Sequence, residues 1–112
     1  MIKPAGRRQK GGRLERKVAE LLRQSGLDVK AKRSFQSGAQ WAWKSDIYTD
    51  LEFALECKNQ EKVKIWDFWE QAESQRKPFK DPVLMITSNY RPILAVMKIE
   101  DWINLVKKSR EK

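Results

Sequence analysis

From residue 51 to residue 58 the chain alternates without a break. Leu51, Phe53, Leu55 and Cys57 are apolar, while Glu52, Ala54, Glu56 and Lys58 are polar or small. A period of two over eight residues predicts a strand with one face in a core and the other in water. Upstream, Leu14, Val18, Leu21 and Leu22 form a helical stripe from residue 13, and Gly26 supplies a left-handed stop. Residues 27–33 alternate again and predict a first strand, and residues 34–44 predict a loop. Residues 46–49 predict a second strand, hairpinned to the strand at 51–58. Past a polar connection at 59–63, residues 65–76 predict a second helix, with Ile65, Phe68, Trp69 and Ala72 on one side. Pro78 and Pro82 bracket a loop. The continuous apolar runs at 83–87 and 93–97 predict two buried strands. A last helix over 101–108 carries Trp102, Leu105 and Val106. There is no repeat and no low-complexity stretch.

The composition agrees with one globular domain. The chain has 112 residues, 40% of them hydrophobic, with five Trp and four Phe. No apolar run approaches the roughly 20 residues that span a bilayer, and the basic start lacks the apolar segment of a signal peptide. The single cysteine, Cys57, excludes an internal disulfide and suits a reducing interior. The chain has no histidine, which removes Ser-His and Cys-His nucleophilic schemes and most zinc sites. Any metal must be held by oxygens. These features lead us to expect a cytoplasmic protein.

The net charge of +9 points to a polyanion. Lys3, Arg7, Arg8, Lys10 and Arg13 crowd the start, and Lys107, Lys108, Arg110 and Lys112 the end. We expect residues 1–10 to form a flexible basic arm and residues 11–112 a single domain. Trp41 and Trp43, in the basic loop, stack on bases or cap a core; the sequence favours neither.

Two residues apart on one strand, Glu56 and Lys58 leave the same face. A carboxylate there holds a divalent cation through hard oxygens. An ammonium beside it orients the attacking water or offsets charge growing on a phosphate. The pattern is cheap, since Glu15-Arg16-Lys17 repeats it on a helix, and its plain reading is a solvated charge pair. What strengthens the nuclease reading is a second acid, Asp46, ten residues before Glu56. Register matters here. A two-residue turn would pair Asp46 with Phe53 on the buried face. A three-residue loop would pair it with Ala54, diagonal to Glu56, and the chemistry needs that register or an equivalent bulge.

The order helix, three strands, helix, two strands, helix, with Gly12-x-x-Glu15-Arg16, Arg33, Ser37-Gly38, Ser45-Asp46-Ile47, Glu56-Cys57-Lys58 and Gln71 at their places, resembles the PD-(D/E)XK nuclease superfamily. Within it, the chain resembles the small Holliday junction resolvases of archaea and certain phages, over residues 11–98. Ser45 stands where the superfamily name has proline. The resemblance implies an α/β, restriction-endonuclease-like core: a central mixed five-stranded sheet flanked by helices in the order α-β-β-β-α-β-β-α. It implies Mg²⁺, with Mn²⁺ as a substitute, on Asp46, Glu56 and the Cys57 backbone carbonyl, and Glu15 reaching the ion through water. Lys58 would address the water, and Gln71 would orient groups or touch a phosphate. Arg33 and the loop serine, Ser37 or Ser34, would contact DNA with the basic arm.

The same resemblance implies a homodimer that cuts opposing strands of a four-way DNA junction symmetrically. Ile65, Trp66, Phe68 and Trp69 fall within five residues, too wide an apolar arc for one sheet contact. Part of that helix, with the edge after Pro92, is expected to pack on a second copy. The competing readings are a less selective nuclease of restriction, repair or mobile-element type, and a basic module that holds DNA without cutting it. The intact Asp46, Glu56 and Lys58 set speaks against the last.

Overall fold

A computed structural model describes residues 4–33, 46–75 and 80–111, with side chains from Gly12 onward. The element order is α1 (Pro4–Gln24), β1 (Lys32–Arg33), β2 (Ile47–Tyr48), β3 (Phe53–Asn59), α2 (Ile65–Gln75), β4 (Asp81–Thr87), β5 (Leu94–Val96) and α3 (Ile99–Ser109). This is the expected succession α-β-β-β-α-β-β-α.

Among the described residues the strands do not join into one five-stranded sheet. They form a two-stranded pair, β1-β2, and a three-stranded sheet in the order β3-β4-β5. β3 and β4 run parallel and β4 and β5 antiparallel, so the larger sheet is mixed. The two sheets are linked where the Asp46 N–H donates to the Leu55 carbonyl at 3.1 Å.

β3 departs from expectation in one instructive way. Its parallel partner β4 is reached through α2, and a crossover helix covers the second face of a parallel sheet. Leu55 and Cys57 pack with Leu14, Val18 and Ala19 of α1, Ile47 and Val83. On the other face, β4 sends Leu84 and Ile86 against Phe68 and Trp69 of α2. The register places Glu56 beside Leu84 and Lys58 beside Ile86. Ala54, Leu55, Glu56 and Cys57 are therefore all buried. The face expected in water lies under a helix.

The first helix begins at Pro4, so residues 4–10 of the expected arm continue its axis. Proline suits a first helical turn, and the three glycines, Gly6, Gly11 and Gly12, cost a helix up to roughly 1 kcal/mol each without breaking it. Lys3 lies outside the described residues, as do the side chains of Arg7, Arg8 and Lys10. Gly26 ends the turn after α1 at φ +82°, as its lack of a side chain allows.

The strand expected at 27–33 shrinks to Lys32–Arg33, and Leu27 and Val29 are exposed. Asp28 is the cause. Its carboxylate accepts hydrogen bonds from the Lys30 and Asp50 N–H groups and the Thr49 hydroxyl. These bonds hold its pKa below the ordinary value, with Thr49 contributing most. They commit to a turn the residues whose alternation predicts a strand. The second run expected as buried, 93–97, forms an exposed edge strand with Leu94 54% exposed. Ser34, Ser37, Trp41, Trp43 and Ser45 lie outside the described residues.

Candidate active site

The site lies where β2 meets β3. Neither expected hairpin register occurs. The Asp46 backbone bonds to Leu55, and its carboxylate Oδ2 accepts the Cys57 N–H at 2.7 Å. A side chain thus takes a strand donor, and the Asp46 carboxylate is carried to Glu56. The two acids share a side-chain hydrogen bond and are 9% and 5% exposed. Burial first, then this bond and the Asp46 charge, push the Glu56 carboxyl up to about 9, with Lys58 opposing. Near neutral pH the pair therefore holds a proton.

Lys58 projects from the same face as Glu56, its ammonium 5.5 Å from the centre of the Phe68 ring on α2. The sequence predicts Phe68 only as core; its spacing carries no sign that it lies beside the site lysine. Gln71 is half-buried one turn beyond Phe68 on the same helix. No described contact joins its side chain to Asp46 or Glu56. The Cys57 thiol faces the α1 core, and burial raises its pKa, which makes it an inert apolar filler.

Glu15 enters from α1. Its Oε2 accepts a hydrogen bond from Arg33 Nε at 2.9 Å, and both side chains are partly buried. Burial raises the Glu15 pKa, the Arg33 bond lowers it, and the Asp46 charge raises it. Glu15 therefore feels both acids of the pair while its own carboxylate is turned to Arg33. Arg33, expected at the DNA, is first of all the partner of Glu15. Arg13 is exposed on the same helix.

Gly12 explains how Arg33 fits. A Cβ there would stand 3.1 Å from Arg16 Nη1 and 3.3 Å from the Arg33 guanidinium. Gly12→Ala is expected to keep the fold, since alanine favours the helix by about 1 kcal/mol. It should shift the Arg16 and Arg33 side chains by a few tenths of an ångström and slow cleavage by up to about tenfold, because small misplacements at a site are costly. Unchanged cleavage with an unchanged melting temperature would dismiss Gly12 as a spacer for Arg33.

Among the described residues, no three His, Cys, Asp or Glu side chains converge as a ready cage for an ion. The donor set that does converge is two carboxylates, with one proton held between them. Hard oxygens that share a proton suit a hard divalent cation in its place. With a backbone carbonyl and water, two carboxylates are enough for an ion that keeps much of its hydration shell.

The sequence model of the family described as phage putative PDDEXK endonuclease matches residues 6–112. A search of curated proteins and of solved structures found no match.

Proposed function

The chain belongs to this phage PD-(D/E)XK endonuclease family, and from that premise we propose that it is a Mg²⁺-dependent endodeoxyribonuclease that resolves four-way DNA junctions as a homodimer. The observation that carries the metal-dependent nuclease in this reading is the buried, hydrogen-bonded pair Asp46 and Glu56 beside Lys58; the junction and the homodimer rest on the resemblance to the resolvases. Asp46 and Glu56 would hold the ion, with the Cys57 carbonyl available as a further ligand and Glu15 in reach through water. When bound, the cation supplies charge to the scissile phosphate and lowers the pKa of water.

The chain's own residues do the rest. The Asp46 carboxylate is fixed by the Cys57 N–H before any ion arrives. Lys58, held against the Phe68 ring, presents a positive charge beside Glu56 for the attacking water or the phosphate. Arg33 fixes Glu15, and Gln71 lies one turn along α2 from Phe68, where it would orient a phosphate. The net charge of +9 suits a polyanion such as DNA. Among the described residues no helix is long and apolar enough to cross a membrane.

Cleavage of a synthetic four-way junction beside linear duplex of the same sequence, with Mg²⁺ and with EDTA, tests this. Paired nicks in the junction alone support resolution. Equal cutting of both favours the less selective nuclease, the reading that the family's plain description as an endonuclease supports. Binding without cutting would leave a DNA-holding module.

The basic start should supply affinity rather than selectivity. Replacing Lys3, Arg7, Arg8 and Lys10 with glutamine spares the helix. It is expected to lower the slope of log affinity against log salt by roughly 0.9 for each phosphate that is no longer neutralised. A slope equal to the wild type's would place the phosphate-binding groups elsewhere.

A further inference from the structure

We propose that two copies of this chain pair through α3, running antiparallel across a two-fold axis that passes between Trp102 and Ile103. The inference rests on the homodimer in the functional reading above and names the surface that forms it.

α3 is eleven residues long and contains no buried residue. Ile99, Trp102 and Ile103 are 65%, 55% and 40% exposed. With Val106 they stand at i, i+3, i+4 and i+7, a single apolar stripe. The exposed part of the stripe, Ile99, Trp102 and Ile103, does not face the body of its own domain. The half-buried Asp101, Leu105 and Val106 do, with Asp101 Oδ2 fully covered. On a helix of 3.6 residues per turn, Asp101 lies about 150° round from the stripe. An exposed stripe of this kind needs a cover.

The charges say what covers it. Glu100 and Lys107 are seven residues apart and lie on one flank of the stripe. A two-fold axis perpendicular to the helix sets that flank against the same flank of the second copy, end reversed. With the axis between Trp102 and Ile103, Ile99 faces Val106 of the other copy and Trp102 faces its Ile103. Glu100 then lies about two residues, roughly 3 Å, along the axis from Lys107 of the other copy, within reach of its long side chain, and the pair occurs twice. The acidic first turn also lies beside a basic last turn, and opposed helix dipoles agree with that order. The exposed aromatic on α2, Trp66, has no such self-matching flank, since Asp67 and Glu70 are the acids near it and Lys62 and Lys64 precede the helix.

Sedimentation of the full chain at micromolar concentration, without DNA, tests this. The wild type is expected to be a dimer. Trp102→Glu should be monomeric, with an unchanged circular dichroism spectrum because residue 102 is more than half exposed. Glu100→Lys and Lys107→Glu should each weaken the dimer about tenfold, as two surface pairs turn repulsive. The double variant Glu100→Lys/Lys107→Glu should return to within about twofold of the wild type, because the pairs are restored with exchanged sign. A dimer whose dissociation constant ignores all four variants overturns the α3 surface while leaving the homodimer standing. A monomeric wild type overturns both.

Discussion

Glu56→Gln is expected to abolish cleavage and, in the metal-free protein at pH 8, to raise the melting temperature. Both effects have one origin. Glu56 is 5% exposed and hydrogen-bonded to Asp46. Its folded pKa is about 9, above the ordinary 4.5, and burial is the largest cause. A raised carboxyl favours the protonated form in the fold. Its contribution to stability is whole below about pH 4.5 and drains away as pH climbs toward 9. The loss approaches about 1.4 kcal/mol for each pH unit in that window. Glutamine fills the same space and cannot ionise, so it has no such loss. Over the roughly 3.5 units from pH 4.5 to pH 8 that is about 5 kcal/mol, so at roughly 4 °C per kcal/mol for a domain of this size the variant should melt on the order of 20 °C higher at pH 8. The difference should vanish near pH 4. Cleavage should fall about a thousandfold or more, since glutamine gives up the charge that a divalent cation needs. Alanine is the weaker probe, because in a buried position it leaves a cavity as well. Melting curves from pH 4 to 9 in EDTA, beside a junction-cleavage assay, decide the matter. Normal cleavage, or parallel melting curves for variant and wild type, would remove Glu56 from the site.

The strand that carries Glu56 is legible in the sequence, and its burial is not. Alternation marks which residues share a face, and it places Leu55 and Cys57 together and Glu56 and Lys58 together. It does not reveal whether a crossover helix will cover the second face. That depends on β3 pairing in parallel with β4, a contact about thirty residues away in sequence that no local period reports. The same blindness hides how Asp46 reaches Glu56. Both hairpin registers open to the sequence are backbone registers, and the structure brings the acid in through its side chain on the Cys57 N–H. Asp28 shows the converse failure. A period of two from 27 to 33 is overridden by one carboxylate that collects three donors in a turn. Arg33 is expected at the DNA because the resemblance to the PD-(D/E)XK superfamily implies it. Its ion pair with Glu15 joins residues 18 apart and depends on the notch above Gly12. α2 is easier: it begins at its expected residue and runs through Gln75, and its wide apolar arc splits as sterics require, with Phe68 and Trp69 buried and Trp66 77% exposed.

Mg²⁺ added to the metal-free protein at pH 7 is expected to release about one proton for each ion bound. At that pH Glu56 still carries its proton, because its folded pKa is about 9. A cation held by two carboxylates requires both to be ionised, so binding and deprotonation are one equilibrium. Affinity should therefore climb with pH, by up to about tenfold per unit, and level off near pH 9. The ion also removes the repulsion that drains stability as pH rises. At a Mg²⁺ concentration about 100 times the dissociation constant, binding alone adds roughly 2.7 kcal/mol. The melting temperature at pH 8 should rise accordingly and fall back with EDTA. Glu56→Gln, which has no proton to give, should show neither the proton release nor the gain. Calorimetry in two buffers of different ionisation heat counts the protons directly. Identical binding heats in both buffers would mean that the ion does not displace the Glu56 proton, and the carboxylate pair would then not be the metal site.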